Sequence, residues 1–438
     1  MAPHSDADAF LDWLYAKSGA SVRYSGIDPE HFCTATGIPW ERCQAVVREC
    51  LARALVTQDS MQRCRLAPAG VRQVQQRRTL LPVTVLAGHA GEVKAVAFDA
   101  ATGGLTSVAD DGTVLRWDPS TGAGQPLVTR PEENADAAFT PGGRLVAVYG
   151  RAGGVRVWHS ATGEPAGPPI TPGEECERAI LSGDGRLLAA VRNREDVQIY
   201  HVATGEAVTA HLLFGGGAAR DAVDDLAFSP DGRLLAAVSP DCAGRVWEAA
   251  TGRPIWDIPC ADAMTRVAFA PDGRSMVTAG GGDVTLWDIT GRYLGHTWTA
   301  EILDEYGHAS FTFAVAFSSD GRHLATGGDL RSVRLWSTAD GEPAAPPLDG
   351  HAETVGDLIW APDGTMLAST SGDGNARLWD PRRGLPIGEP LCGHTGDVAA
   401  GITTTALSPD GRLLAAGCED GTVKLWSLPT SPAQGLTR

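Results

Sequence analysis

The chain has 438 residues, 43% of them apolar, and a formal charge of -17, which is long enough for more than one domain. No apolar run reaches the length of a membrane span, and Met1 to Asp8 have neither the basic flank nor the apolar core of a secretory signal, so a membrane partner is excluded and a cytoplasmic location expected. Nine cysteines without a Cys-x-x-Cys pair suit reduced thiols better than a disulfide framework.

The charge is uneven. Residues 1–80 carry 10 basic and 8 acidic side chains, whereas residues 81–438 carry 26 and 45, so the larger part repels nucleic acid on average. In chain order, Asp6 to Lys17 predicts a helix with Phe10, Trp13 and Leu14 on one face, stopped by Gly19. Asp28-Pro29 caps a short helix to Ala35. After the turn at Gly37-Ile38, Pro39 opens a longer helix to about Ala54, with an apolar stripe drawn from Val46, Val47, Cys50 and Leu51. Leu55-Val56 leads into a hairpin that returns through Arg63 to Leu66, and Pro68 to Gln76 predicts a last helix.

Three helices followed by a small β-wing resemble a winged helix-turn-helix domain, placed over residues 1–78. That resemblance implies that residues 39–54 are a recognition helix. Trp40, Arg42, Gln44, Arg48 and Arg53, with Arg63 and Arg65 on the wing, then stand as contacts to a partner or to nucleic acid. Residues 41–80 hold 8 basic and 3 acidic side chains, the surplus that phosphate contact requires. A tryptophan beside arginines at a helix start equally suits a protein contact. Cys33, Cys43, Cys50 and Cys64 match no metal-ligand spacing and read as core residues.

Residues 79–428 repeat one unit, clearest in Ser408 to Trp426. Pro409-Asp410-Gly411 is a turn, Leu413 to Gly417 an apolar strand, Glu419-Asp420-Gly421 a second turn, and Thr422 to Trp426 an alternating strand. Its aromatic anchors are Trp117, Trp158, Tyr200, Trp247, Trp287, Trp336, Trp379 and Trp426, between 40 and 49 residues apart. Anchors in this register, with a Thr-Gly or related turn after seven of them, resemble the WD40 family of β-propellers. The Ala-, Gly- and Arg-rich composition resembles that of bacterial, particularly actinobacterial, WD40 proteins. Eight anchors imply an all-β propeller of eight blades. Leu80 to Leu86 precedes the first Gly-His and nothing strand-like follows Leu428. The resemblance therefore implies that this N-terminal stretch is the outer strand of the last blade, hiding the open edge of the ring. Residues 429–438 remain as a tail.

The family's buried network joins the His of Gly-His, a Ser or Thr, an Asp and the Trp. Carried over residue by residue, it is complete in blade seven as His351, Ser371, Asp373 and Trp379. Blade one has His89, Asp111 and Trp117, with Ala109 in the hydroxyl's place. Blade eight has His394, Asp420 and Trp426, with Cys418 there. Blade six keeps His308 and Trp336 but has Leu330 for the acid, and blade four keeps Asp241 and Trp247. Recurrence beside a Trp marks structural hydrogen bonds rather than catalytic dyads.

Two longer connections carry apolar and aromatic residues: one with Leu213 and Phe214, the other with Tyr293, Trp298 and Tyr306. They read either as contact loops on a rigid scaffold or as extensions of the outer strands. No nucleophile elbow, phosphate loop or zinc-protease motif occurs, and no cofactor or metal is expected. The sequence thus points to a non-enzymatic protein–protein interaction scaffold or sensor, with the winged domain as a second contact module. The alternative is a DNA-binding transcriptional regulator whose propeller senses or recruits a partner.

Overall fold

The computed structural model describes residues 40–52, 56–58 and 64–66 and most of residues 83–428. From 83 onward the chain forms eight antiparallel sheets, one per aromatic anchor. Blade one is built from Val93–Phe98, Leu105–Ala109, Val114–Trp117 and Gly124–Val128. The inner strands of the other seven are Asp136–Phe139, Cys176–Leu181, Asp225–Phe228, Met264–Phe269, Thr312–Phe317, Val355–Trp360 and Ile402–Leu407. Each of these eight strands touches the inner strand of the blade before it and of the blade after it, and blade eight touches blade one. The result is a closed ring, an eight-bladed β-propeller.

Closure follows the expected route. Val83–Ala87 pairs antiparallel with Thr422–Ser427, from Val83 opposite Trp426 to Ala87 opposite Thr422. The N-terminal strand thereby covers the edge that the last blade would otherwise expose. Leu86, 2% exposed, packs into the cluster shared by blades eight and one.

The blades pack through a large–small pairing written in the sequence. Second strands such as Leu187–Arg192, Leu234–Ser239 and Leu413–Cys418 carry Ala-Ala pairs that are fully buried. Those small side chains leave room for the aromatic anchors: Tyr200 packs with Ala147 and Ala190, Trp247 with Ala189 and Ala237, and Trp426 with Ala376 and Ala416. Burying each ring contributes on the order of 2–3 kcal/mol.

Prolines accompany the irregular outer segments of blades two and six, and blade three has a bridge and a two-residue strand, Leu212–Leu213, without one. Blade two has three regular strands, and its outer segment joins only through bridges from Val155 to Ile170 and from Trp158 to Pro165. Pro165, Pro168 and Pro169 cannot donate to a ladder. Blade six repeats the pattern, with a bridge from Trp336 to Pro343 and a two-residue strand Leu348–Asp349.

The N-terminal expectation needs correction. Among the described residues the whole chain holds one helix, α1 (Trp40–Ala52), and residues 1–78 otherwise show only the paired strands Val56–Gln58 and Cys64–Leu66. A winged helix-turn-helix domain is not supported. The cap and turn motifs that carried the resemblance occur at any junction of a helix and a hairpin, so they do not specify a three-helix domain. Helix α1 buries Cys43, Val46, Val47 and Cys50, the i, i+3, i+4, i+7 stripe of an amphipathic helix, and lies against Val56–Gln58. The helices expected over Asp6–Lys17, Pro29–Ala35 and Pro68–Gln76 lie outside the described residues.

Candidate interaction surfaces and the inner belt

The His–Asp pairs are the first place to look for chemistry, and their geometry is that of struts. In blade seven, Trp379 Nε1 donates to Ser369 Oγ (2.8 Å), whose hydroxyl lies 2.7 Å from His351 Nε2. His351 Nδ1 lies 3.1 Å from Asp373 Oδ2, and that carboxylate also accepts the backbone N–H groups of Ala352 (2.9 Å) and Asn375 (3.0 Å). The side chains of His351 and Asp373 are both 0% exposed. Burial lowers the His351 pKa, so the ring is neutral. Burial alone would raise Asp373, but the His351 side chain and the two backbone donors outweigh it and hold the carboxyl below its ordinary value.

Blade one uses the same logic with one more hydroxyl. Trp117 Nε1 donates to Ser107 Oγ (2.8 Å), Ser107 meets His89 Nε2 (2.6 Å), and His89 Nδ1 meets Thr113 Oγ1 (2.6 Å). Thr113 donates onward to Asp111 Oδ1 (2.6 Å). Because Thr113 spends its proton on the carboxylate, it accepts from His89 Nδ1–H, which leaves Nε2 as the acceptor for Ser107. Burial drives the His89 pKa down to about 4, against a smaller upward pull from Asp111.

The hydroxyl that meets the Trp therefore sits on the second strand, two residues before the position assigned from the sequence. Ser107 and Ser369 fill it, not the positions of Ala109 and Ser371. Ser371 instead donates to the Glu353 carbonyl (2.9 Å). The same tie recurs in blades five and six, from Trp287 to Thr278 and from Trp336 to Thr326, each 2.9 Å. A Ser or Thr nine or ten residues before the Trp was the available signal. In blade six, Asp329 rather than position 330 supplies a carboxylate, accepting the Phe311 N–H (2.9 Å). In blade eight, Asp420 accepts the backbone N–H and hydroxyl of Thr422 (3.0 and 2.6 Å). Trp247 and Trp426 are buried anchors, while Asp241, His308 and His394 lie outside the described residues.

The proposed contact residues divide similarly. Gln44 and Arg48 are exposed on α1. Trp40, Arg42 and Arg65 have described backbone only, and Arg53 and Arg63 lie outside the described residues. Tyr293 and Trp298 belong to the outer strand of blade five, Tyr293–Thr299, and Leu213 to that of blade three, Leu212–Leu213. Tyr293 is 47% exposed and packs edge-on to Trp287, at 5.9 Å between ring centroids. Phe214 and Tyr306 are outside the described residues.

The inner strands also carry a belt of charged residues with no motif in the sequence. At the same register of the inner strand, three residues before its last position, blades two to five carry Asp136, Arg178, Asp225 and Arg266, and blade seven carries Asp357. Arg178 pairs with Asp225 (2.9 Å), whose second oxygen accepts the Val267 N–H of blade five (3.0 Å). Asp357 accepts the Thr405 hydroxyl of blade eight (3.0 Å). An inner strand has a sheet partner on one edge only, so its other N–H groups need such acceptors. Desolvation inside the ring raises the pKa of both Asp225 and Asp357, against the opposing pull of Arg178 and of the Thr405 hydroxyl. Related ties cross the remaining junctions, from Thr265 to the Thr312 carbonyl (2.8 Å), Trp360 to the Ala316 carbonyl (3.0 Å), Thr403 to the Val93 carbonyl, Arg116 to the Ala161 carbonyl (2.5 Å) and Arg144 to the Asp184 carbonyl (2.6 Å).

Comparison with known proteins agrees with this architecture. The family described as "WD domain, G-beta repeat" matches residues 80–118, 212–248, 252–288, 300–337, 345–380 and 386–427, more than half the chain. The chain belongs to the WD40 family. Blades two and three fall outside these matches. They nevertheless keep the strand alternation and an aromatic anchor, buried at Tyr200 and partly buried at Trp158. Among solved structures, the computationally designed Ika8 protein is similar at a TM-score of 0.64 and 22% identity, over 80% of this chain and 99% of its own. At that identity the likeness shows the fold alone. Among the described residues, no three or more His, Cys, Asp or Glu are grouped to hold a metal, and no helix is long and apolar enough to cross a membrane.

Proposed function

We propose that this WD40 protein is a non-enzymatic platform for protein–protein interaction, with the N-terminal segment as a second contact module. The observation that carries the reading is the zero exposure of His351 and Asp373. The pair that most resembles a catalytic dyad cannot touch a substrate, and both members are consumed in holding strands together. The polar investment of the blades goes into rigidity, with ties at all eight junctions. A rigid ring that presents loops and outer strands serves recognition. The DNA-binding alternative rested on a winged helix-turn-helix, and it loses its support with that correction. The acidic excess of residues 81–438 also opposes it.

The test is purification of the intact chain from its own cells, followed by gel filtration and mass determination. A stoichiometric complex with a second protein supports the platform, and Gln44→Ala with Arg48→Glu should deplete that partner if α1 takes part. A chain that runs alone under gentle lysis and crosslinking refutes the reading.

A further inference from the structure

Blade one breaks the packing rule of the ring at one level. The residue just before the aromatic anchor is apolar in the other seven blades. In five of them it packs beside a large apolar residue of the second strand, one position before the anchor's cross-strand partner. Leu145 with Val157, Leu234 with Val246 and Met366 with Leu378 are such pairs, each inside the cluster shared with the next blade. Blades three and eight repeat the arrangement. In blade one Trp117 pairs with Leu105, so the same two places hold Gly104 and Arg116.

This exchange removes an apolar side chain and brings in a cation, and a cavity of about 440 Å³ stands at that place. Its walls include Thr102 to Gly104, Arg116, Asp118 and Gln125. Arg116 is half-buried and spends Nη1 on the Ala161 carbonyl of blade two (2.5 Å). The other edge of its guanidinium lies over Gly104, where an added Cβ would stand 3.3 Å from Nε and 3.5 Å from Nη2. Neither nitrogen has an acceptor among the described residues, and Arg116 makes no ion pair with any of them. Asp118, the one acid among the lining residues, is held instead by the N–H (2.8 Å) and hydroxyl (2.6 Å) of Ser120. Gln125 lies opposite Arg116 in the sheet and is exposed. A half-buried guanidinium without a counter-ion is matched by a carboxylate, whose two oxygens accept from Nε and Nη2 together. The volume is that of a small-ligand pocket.

We propose that this cavity is a binding site for a small organic acid, its carboxylate seated on the Nε–Nη2 edge of Arg116 and Gln125 beside it as a second polar contact. The site goes beyond the protein-contact reading and does not rest on it: a ring that binds no acid can still be a platform.

The test is calorimetric titration of the full chain with acetate, succinate, malate and citrate at constant ionic strength, each up to about 10 mM, the range of weak specific binding. Saturable one-to-one binding of at least one of them is expected. The neutral amide of that acid should bind at least about tenfold more weakly. Arg116→Leu restores the apolar residue that the other seven blades carry, so the variant should keep the wild-type urea midpoint and lose the acid. The proposal is overturned if none of the four acids binds saturably, if the amide binds as well as the acid, or if folded R116L binds undiminished. Inorganic phosphate binding as tightly as the best acid overturns the assignment to a carboxylate. N-acetylglutamate α-amide, the acidic side chain of a peptide, binding as tightly gives the site to a protein partner and overturns the small-molecule assignment. The amide arm needs no mutation, so a variant that fails to fold does not rescue the proposal.

Discussion

Replacing Ser369 with alanine should be one of the most damaging single-atom deletions in the ring. Its hydroxyl accepts the Trp379 indole N–H at 2.8 Å and lies 2.7 Å from His351 Nε2. Ser369 is 1% exposed, Trp379 0% and His351 7%, so water cannot take over either bond. The substitution removes too little volume for a large cavity cost. It strands two buried polar groups, each at about 1–3 kcal/mol, which gives a loss of about 2–6 kcal/mol. Ser371→Ala is the internal control. It removes a bond to the Glu353 carbonyl and an acceptor for the Asp373 N–H, at the scale of ordinary hydrogen bonds, about 1 kcal/mol each. Equilibrium urea denaturation followed by tryptophan fluorescence measures both, with the slope checked to be unchanged. Exchange of the Trp379 indole proton gives a local readout. If Ser369→Ala unfolds at the wild-type urea concentration, or Ser371→Ala proves the more destabilising, the assignment of the strut to Ser369 is wrong.

Ring closure offers a second test: Leu86→Asp places a charge in the cluster shared by blades eight and one and should convert the protein from a soluble monodisperse species into aggregates, read by light scattering, because it detaches the strand that covers an edge. Soluble, cooperatively melting Leu86→Asp protein would mean that Val83–Ala87 is dispensable. Stability should also fall as pH drops from 6.5 towards about 4. In that window unfolded His89 binds a proton that the folded ring refuses, and the linkage amounts to roughly 3 kcal/mol at most for His89 alone. His351 acts in the same direction. The pH dependence of the urea midpoint measures this, and His89→Gln should flatten it over the same interval.

Local regularities determined much of this protein from its sequence alone. The anchors recur because each blade is one self-similar antiparallel sheet, and the turns around Asp-Gly and Thr-Gly announce its corners. The strand before Gly88 was recognisable as the closing one because it stands ahead of the first repeat, and Val83–Ala87 does pair with Thr422–Ser427. The N-terminal segment misled, since helix caps and short turns are shared by many folds and do not specify how many helices pack together. Tertiary structure decided what depends on register and on the neighbouring blade. Ser369 and Ser371, two residues apart, share one face of the second strand, so which of them meets Trp379 is settled only by the register that pairs Leu367 with Trp379. The belt of Asp136, Arg178, Asp225, Arg266 and Asp357 joins residues from five blades spread over more than two hundred positions. A lone acid or arginine in each repeat carries no sign of the others until the ring closes and brings the inner strands to one axis.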